Sequence, residues 1–133
     1  MINQQENLKN VNQYSAIGLA YIGDGVYELL VRERMIAKGN FPVNQLHRKT
    51  VSFVRAAAQS EAFSIIEEHL TENEMAIFKR GRNANSNTIP KNANPADYRR
   101  ATGFESLFGY LYLLGENDRI YELFNIIFDK IDQ

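Results

Sequence analysis

Apolar residues recur at helical spacing along most of the chain, and valine, isoleucine, tyrosine and phenylalanine follow that period rather than alternating. A first long helix is predicted from about Ser15 to Ala37, with Gly39 ending it. Its apolar positions occupy more than one face, which predicts a central helix buried on several sides. These positions are Ile17, Leu19, Ala20, Ile22, Val26, Leu29, Leu30 and Ile36.

Five further helical segments are predicted after the first one. They run from Pro42 through Val54 and onward, from Glu61 to Leu70, from Thr71 to about Gly81, from Pro95 to about Leu114, and from about Asp118 to Ile131. The segment from Thr71 begins with a capping-box pattern, T-E-N-E, and the segment from Pro95 follows an Asn94 N-cap. Residues 82–94 are rich in turn formers and are predicted to form a loop. The last segment has an apolar stripe of Ile120, Leu123, Phe124, Ile127, Phe128 and Ile131.

We therefore expect an all-α fold in which residues 1–133 form a single domain. A chain of 133 residues suits one core, and a hydrophobic content of 44% excludes a disordered protein. The absence of cysteine excludes disulfides and thiolate metal sites. The N-terminus has no apolar signal region, and no apolar run approaches the ~20 residues that a membrane span requires. We expect a cytoplasmic protein without membrane contact.

The formal net charge of −1 conceals an uneven distribution of charge along the chain. Residues 75–100 carry six cations and one acid, and residues 43–60 carry three cations and no acid. Residues 105–133 carry six acids and two cations. This polarity indicates a basic face suited to a polyanion such as a nucleic acid. An ordinary solvated basic surface is the alternative, and both interpretations stay open at this point.

Two carboxylates stand inside apolar, glycine-bearing helical runs: Asp24 in LAYIGDGVYE and Glu105 in ATGFESLFGYLYL. A charge in such surroundings is unfavourable unless it is paired or holds a metal. A Mg²⁺ ion needs only one or two protein carboxylates, together with water and substrate phosphate oxygens. The two runs predict a divalent metal site if their helices cross, which the spacing alone does not establish. The alternative for Asp24 is a hydrogen-bond acceptor in the core.

Other candidate groups have simpler interpretations. Glu28 lies one turn after Asp24 and could share a metal site, but an i,i+4 ion pair with Arg32 is favoured. His47 and His69 do not have the spacing of zinc ligands. His47 could touch a phosphate, although a surface or capping histidine is the favoured interpretation.

The two acidic runs resemble the catalytic domain of ribonuclease III. IGLAYIGDGVYELLVRERM resembles the signature helix of that family, and TGFESLFGYLYL resembles its second acidic helix. KRGRNANSNTIPKN followed by YRRATGFESLFGYLYL is similar to the Mini-ribonuclease III branch, whose bacterial members consist of the catalytic domain alone. The resemblance extends from about Tyr14 to Phe128.

The resemblance implies an all-helical homodimer that hydrolyses phosphodiesters in double-stranded RNA with Mg²⁺, leaving 5′-phosphate and 3′-hydroxyl ends. Members of the branch mature the ends of the large-subunit (23S) ribosomal RNA precursor, which is presented with a large-subunit ribosomal protein. Position by position, Asp24 and Glu105 are the implied catalytic residues and metal ligands. Tyr21 is the implied aromatic residue that packs into the partner subunit at the dimer interface.

The chain departs from classical members of the family by having fewer acids in both motifs. Ile17 and Ala20 stand seven and four residues before Asp24, and Thr102 stands three before Glu105, where classical enzymes carry further acids. We therefore expect weaker metal binding, with more water ligands and one well-occupied ion.

The chain also ends without room for a C-terminal double-stranded-RNA-binding domain, so we expect the catalytic domain itself to bind RNA. Duplex RNA is recognised mainly through phosphates and 2′-hydroxyls, which requires cations, amides and hydroxyls. Arg99 and Arg100 cannot both share the helix face of Glu105, so at most one of them is expected to reach the scissile phosphate. The candidate RNA-binding residues are Arg48, Lys49, Arg55, Lys79, Arg80, Arg82, Lys91, Arg99 and Arg100, with Asn83, Asn85, Ser86 and Asn92 as polar additions.

Two other functions stay open from the residues alone. The first is a non-catalytic RNA-binding or ribosome-assembly protein on the same fold, which the reduced set of acids allows. The second is a helical dimerisation module without a nucleic-acid role, against which the basic segment argues.

Overall fold

A computed structural model describes residues 11–84 and 89–133 of the chain. Those residues form six α-helices and contain no β-strand, which confirms the predicted all-α fold. The helices are α1 (Ala16–Lys38), α2 (Val43–Val54), α3 (Ala56–Ile66), α4 (Glu72–Asn83), α5 (Pro95–Leu113) and α6 (Asn117–Ile131), with short 3₁₀ turns at Val11–Gln13 and Glu67–His69. No helix within these two ranges is both long and apolar enough to cross a membrane.

Side-chain caps begin three helices where the sequence predicts them. The Ser15 hydroxyl accepts a hydrogen bond from an amide in the first turn of α1, and the Asn94 side chain accepts from two amides of α5. At α4, Thr71 and Glu74 form the predicted capping box. The Glu74 carboxylate also accepts hydrogen bonds from Arg119 at 2.8 and 2.9 Å, which tie α6 to the start of α4.

The boundary between the second and third helices was predicted wrongly. The third helix begins at Ala56 rather than Glu61, because Arg55 is extended (φ −66°, ψ 156°) and separates α2 from α3. The sequence carries no glycine or proline at this break. A single residue in an extended conformation is enough to turn the chain, and the local composition does not announce it.

The end of α4 was also predicted wrongly. The helix continues past Gly81 to Asn83, so Arg82 is helical and not part of a loop. Gly81 serves packing rather than termination, since a Cβ at that position would overlap the Ser106 side chain of α5.

Helix α5 is the central helix of the fold and packs against α1, α3 and α4. Its buried Phe104 and Phe108 rings meet Tyr27 of α1 edge-on, with ring centroids 4.8 and 5.3 Å apart. Helix α6 buries the whole of its predicted apolar stripe except Ile131, which is exposed because the helix ends there.

Helix α1 is buried on one side only, which corrects the expectation of burial on several sides. Its inward side packs against α5, while part of its predicted apolar set faces outward. Successive outward positions are separated by four or seven residues and fall on one broad face. This α1 stripe consists of Ile17, Tyr21, Gly25, Leu29 and Ile36.

Helices α1 and α5 cross at two glycines. A Cβ at Gly23 would overlap the carbonyl oxygen of Glu105, and a Cβ at Gly109 would overlap the carbonyl oxygen of Leu19. The two backbones therefore touch directly, which only glycine permits at these positions. This contact sets the position of Asp24, which follows Gly23, relative to Glu105.

Candidate active site

Asp24 and Glu105 meet at the crossing of α1 and α5. The negative charge of Asp24 acts on the Glu105 carboxyl, so the two side chains lie near each other. Their convergence follows from the backbone contact between Gly23 and Glu105, since Asp24 is the next residue along α1. Asp24 is exposed and Glu105 is half-buried, so the pair has one side open to solvent.

The surroundings of Glu105 favour its protonated form. Burial is the largest cause, followed by the negative charge of Asp24 and the hydrogen bond between the two side chains. A hydrogen bond from Gln59 acts in the opposite direction, and the net effect raises the pKa of Glu105 to about 8. Two acids held together in this way are stabilised by a proton or by a cation bound on their open side.

Gln59 of α3 is a member of this site that the sequence interpretation missed. Its Nε2 atom donates to the Val54 carbonyl oxygen at 2.7 Å and to Glu105 Oε2 at 3.3 Å. The residue is 2% exposed, and its Oε1 atom is buried without a hydrogen-bond partner among the described residues. Its one signal in the sequence is a long amide in the small-residue run AAAQS, and nothing in that run points to α5.

Neighbouring residues do not add further carboxylates to the pair. Glu28 forms an ion pair with Arg32 at 2.9 Å, as the favoured interpretation of the sequence had it. Ala20 is buried, and the Thr102 hydroxyl donates to the Tyr98 carbonyl oxygen at 3.0 Å. In the part of the chain that the structure describes, no three histidine, aspartate or glutamate side chains cluster as metal ligands would. The candidate site therefore consists of two acids and one amide.

Comparisons with known proteins place this arrangement in a family. The family model of the ribonuclease III domain matches residues 18–116. The chain is 46% identical over 126 residues to the Mini-ribonuclease 3 of Clostridium tetani, covering 94% of this chain and 83% of that protein. It is 41% identical over 128 residues to the Mini-ribonuclease 3 of Enterococcus faecalis, covering 95% of this chain and 97% of that protein. An X-ray structure of a Fusobacterium nucleatum protein is 32% identical with a TM-score of 0.79, covering 86% of this chain and 93% of that one.

The chain belongs to the ribonuclease III family. The resemblance to its Mini-ribonuclease 3 branch is confirmed by the same matches, and so is the expected enzyme class, an endoribonuclease. Ribonuclease III enzymes generally depend on divalent metal ions and act on double-stranded RNA.

Two of the candidate RNA-binding cations of this ribonuclease III domain lie side by side. Arg100 and Arg82 sit over the faces of Phe63 and Phe78, whose rings stack with centroids 3.6 Å apart. A small open pocket is lined by these four residues and Glu67. The two guanidinium groups are therefore held in place by aromatic faces rather than left free in solvent.

Arg100 of the arginine pair and Glu105 of the acid pair both contact α3. Arg100 donates to the Ser64 hydroxyl at 2.7 Å, and Gln59 donates to Glu105 at 3.3 Å. Gln59 and Ser64 are five residues apart on α3. Their partners on α5, Glu105 and Arg100, are also five residues apart but in the opposite order. Helices α3 and α5 therefore run antiparallel here. We call the surface between these helices the α3–α5 groove, defined by Gln59, Ser64, Arg100 and Glu105.

The remaining candidate cations are not brought into this groove by any described contact. Lys49 lies over the Phe41 ring at 4.4 Å, and Arg80 donates to the Tyr14 carbonyl oxygen at 3.4 Å. Arg55 directly follows Val54, so its backbone adjoins the site. Arg48, Arg55, Lys79, Lys91 and Arg99 are exposed, while Asn85 and Ser86 lie outside the described residues.

Proposed function

We propose that this chain is a Mg²⁺-dependent endoribonuclease that cuts double-stranded RNA, leaving 5′-phosphate and 3′-hydroxyl ends. Asp24 and Glu105 are its catalytic residues and its metal ligands. The observation that carries the proposal is the meeting of these two acids at a glycine crossing, where burial and mutual repulsion favour a bound cation.

The donor set of this site fits magnesium. Mg²⁺ is usually held by one or two carboxylates and completes its shell with water and substrate phosphate oxygens, which matches two acids with one open side. Held there, it would supply Lewis acidity and charge neutralisation at the scissile phosphodiester. The chain's own part is to fix both carboxylates through the helix crossing, with Gln59 holding Glu105. Glu105 must release its proton to bind a cation, so its raised pKa weakens metal binding in acid.

Duplex RNA would lie along the α3–α5 groove. Arg100 is five residues from Glu105 on α5, which is roughly 7.5 Å along the helix axis. That separation suits contact with a phosphate next to the scissile one rather than with the scissile phosphate itself. Arg82, beside Arg100, extends the cationic surface further from the acids. The other candidate cations stay proposals for the same RNA surface.

The active form would be a homodimer joined through the α1 stripe. An exposed apolar stripe on one helix is typical of a protein interface, and a two-fold pair buries the same stripe on both copies. Tyr21 is 81% exposed in the middle of the stripe and would pack into the partner. A Cβ at Gly25 would have no neighbour within 4 Å, which leaves room for close approach of a second chain.

The resemblance to the Mini-ribonuclease 3 branch supports finer proposals. The substrate would be the precursor of large-subunit (23S) ribosomal RNA, presented with a large-subunit ribosomal protein. The chain would meet this substrate in the cytoplasm. Residues 1–133 would act as one catalytic domain that itself binds RNA.

Incubation of the purified chain with long duplex RNA, with and without Mg²⁺, tests the proposal. We expect cutting only when Mg²⁺ is present, with products that a 5′-phosphate-dependent ligase accepts directly. The large-subunit ribosomal RNA precursor should be cut in the same reaction at its paired ends.

The same experiment separates the other candidate functions. Binding of duplex RNA without cutting in Mg²⁺ would favour the non-catalytic RNA-binding or ribosome-assembly protein. Neither binding nor cutting would favour a helical dimerisation module. Cutting that continues in excess chelator would contradict the assignment of a metal-dependent site.

A further inference from the structure

The buried amide of Gln59 is saturated as a donor and unused as an acceptor. Both N–H groups of Nε2 have acceptors, namely the Val54 carbonyl oxygen and Glu105 Oε2. Turning the amide over would direct its oxygen at a carbonyl that can only accept, so the present orientation is the chemically favoured one. Oε1 is then left buried without a partner among residues 11–84 and 89–133. Buried polar atoms are almost always hydrogen-bonded, so this exception requires an explanation.

We propose that Gln59 is the third member of the metal centre, in which Nε2 orients Glu105 and Oε1 accepts a hydrogen bond from the hydration shell of the divalent cation. This inference rests on the metal site of the proposed function. Oε1 belongs to the same planar amide as Nε2, so it lies close to the Glu105 carboxylate that Nε2 contacts. Gln59 is thus a positioning residue, which acts on the site through Glu105 and through bound water.

The small number of carboxylates makes such an acceptor valuable. An octahedral ion with two protein carboxylates takes most of its remaining ligands from water and substrate. Water ligands carry hydrogens that need acceptors, and groups that hold the ligands of a metal strongly affect its affinity. A neutral amide oxygen supplies an acceptor without adding a third negative charge beside Asp24 and Glu105.

A purely structural role for Gln59 is the competing explanation. The break at Arg55 ends α2, and Nε2 binds the Val54 carbonyl oxygen at that break. This role uses only the N–H donors of the amide and leaves Oε1 without a hydrogen-bond partner. The two explanations therefore make different predictions for substitutions that keep or remove an acceptor at this position.

Mn²⁺ binding to the full chain, followed through the electron paramagnetic resonance of the free ion, separates them. Mn²⁺ takes the same oxygen ligands as Mg²⁺. Gln59→Leu and Gln59→Glu both lose the bonds that Nε2 donates to Val54 and Glu105, but only Gln59→Leu loses the acceptor. We expect Gln59→Leu to weaken Mn²⁺ binding about tenfold, and Gln59→Glu to bind at least as tightly as the parent. Gln45→Leu on α2 is the matched control and should leave the affinity unchanged.

Weakening to the same extent in both Gln59 variants would show a structural role and overturn the proposal, and so would an unchanged affinity in Gln59→Leu. If Gln59→Leu does not fold, Gln59→Glu decides alone, since weaker binding than the parent contradicts the acceptor role. Asp24→Asn separates this inference from the proposed function. If Asp24→Asn leaves Mn²⁺ binding unchanged, the metal site itself is wrong, whereas loss in Asp24→Asn without loss in Gln59→Leu removes only Gln59.

Discussion

Glu105 is the residue whose surroundings differ most from those of an ordinary surface acid. Burial, the neighbouring charge of Asp24 and the hydrogen bond between the two side chains all raise its pKa, and the net value is about 8. In the unfolded chain the same carboxyl titrates near its ordinary value of 4.5. The folded protein therefore holds this proton more tightly than the unfolded chain does.

The stability of the metal-free protein should depend on pH through Glu105. A group whose pKa is raised on folding contributes its full stability below the unfolded pKa and loses it as the pH rises through the folded pKa. We expect the free energy of unfolding to fall between pH 4.5 and about 8, at up to about 1.4 kcal/mol per pH unit from this group. Denaturant unfolding in excess chelator measures this change in the free energy of unfolding with pH.

A comparison of two variants isolates the contribution of Glu105 to this pH dependence. Glu105→Gln should remove this part of the pH dependence, while Glu61→Gln, an exposed acid on α3, should keep it. Equal pH profiles for the parent chain and Glu105→Gln would contradict the account of Glu105.

Residue types in the sequence were enough to select Asp24 and Glu105, because a carboxylate in an apolar, glycine-bearing run is unusual and needs a reason. They were not enough to select Gln59. Its importance comes from its contact with Glu105 across the fold, and a glutamine in a helix is ordinary until that contact is known.

At the scale of helices, the crossing of α1 and α5 holds the site together. Gly23 and Gly109 let the two backbones touch, and the acids follow from that contact. Gly25, two positions after Gly23 on α1, faces open space. Gly23 and Gly25 therefore offer a matched test of the crossing.

Gly23→Ala should strongly destabilise the fold, because the new Cβ would overlap the Glu105 carbonyl oxygen and force the helices apart. We expect a loss of about 3 kcal/mol or more in the free energy of unfolding. In the dissociated monomer, Gly25→Ala should instead gain up to about 1 kcal/mol from helix propensity, since its Cβ meets nothing within 4 Å in the same chain. Denaturant unfolding followed by circular dichroism compares them, and similar effects of the two substitutions would contradict the crossing.

Helix starts were predictable because their signals are local. Ser15, Thr71 and Asn94 each cap a helix through bonds within the first turn, so the sequence near them contains the information. The break at Arg55 and the continuation of α4 past Gly81 were not predictable. Gly81 packs against Ser106 of α5, which is distant in the sequence, and no glycine or proline marks the break at Arg55.

At the scale of the whole molecule, the exposed α1 stripe supports the proposed homodimer. Tyr21→Asp should dissociate the homodimer, because it places a charge where an aromatic ring is proposed to be buried. We expect the dimer dissociation constant to rise by at least about thirtyfold, as for a central aromatic anchor. Sedimentation over a range of concentrations measures this.

Val43 provides the control for that substitution. It is 82% exposed and lies on α2, outside the α1 stripe. Val43→Asp should leave the dimer intact. Dissociation by Val43→Asp and not by Tyr21→Asp would place the interface on another face.

The RNA surface makes a prediction about salt. Arg82→Glu should weaken duplex binding and lower the slope of log affinity against log salt by about 1, because one phosphate contact fewer releases fewer counterions. Lys130→Glu makes the same charge change at an exposed residue near the end of α6 that is not one of the candidate cations, and should leave the slope unchanged. Filter binding of a fixed duplex over a range of salt concentrations tests both, and equal slopes for Arg82→Glu and the parent would remove Arg82 from the surface.

The charge polarity of the chain predicted a basic face, but only the fold shows which cations lie together. Arg82 and Arg100 are 18 positions apart in the sequence and meet over stacked phenylalanines. The outward stripe of α1 was misinterpreted as buried for a related reason. Periodicity shows that a face is apolar, and it does not show whether the same chain or another one covers it.

The central claim is that Asp24 and Glu105 form one metal-dependent catalytic pair. Single-turnover cleavage of duplex RNA in saturating Mg²⁺ tests it most directly, with Asp24→Asn, Glu105→Gln and the control Glu61→Gln shown to be folded by circular dichroism. We predict that each of the first two substitutions reduces the rate by about a thousandfold or more, corresponding to about 4 kcal/mol of transition-state stabilisation, and that Glu61→Gln retains the parent rate. A rate within tenfold of the parent in either Asp24→Asn or Glu105→Gln would contradict the account.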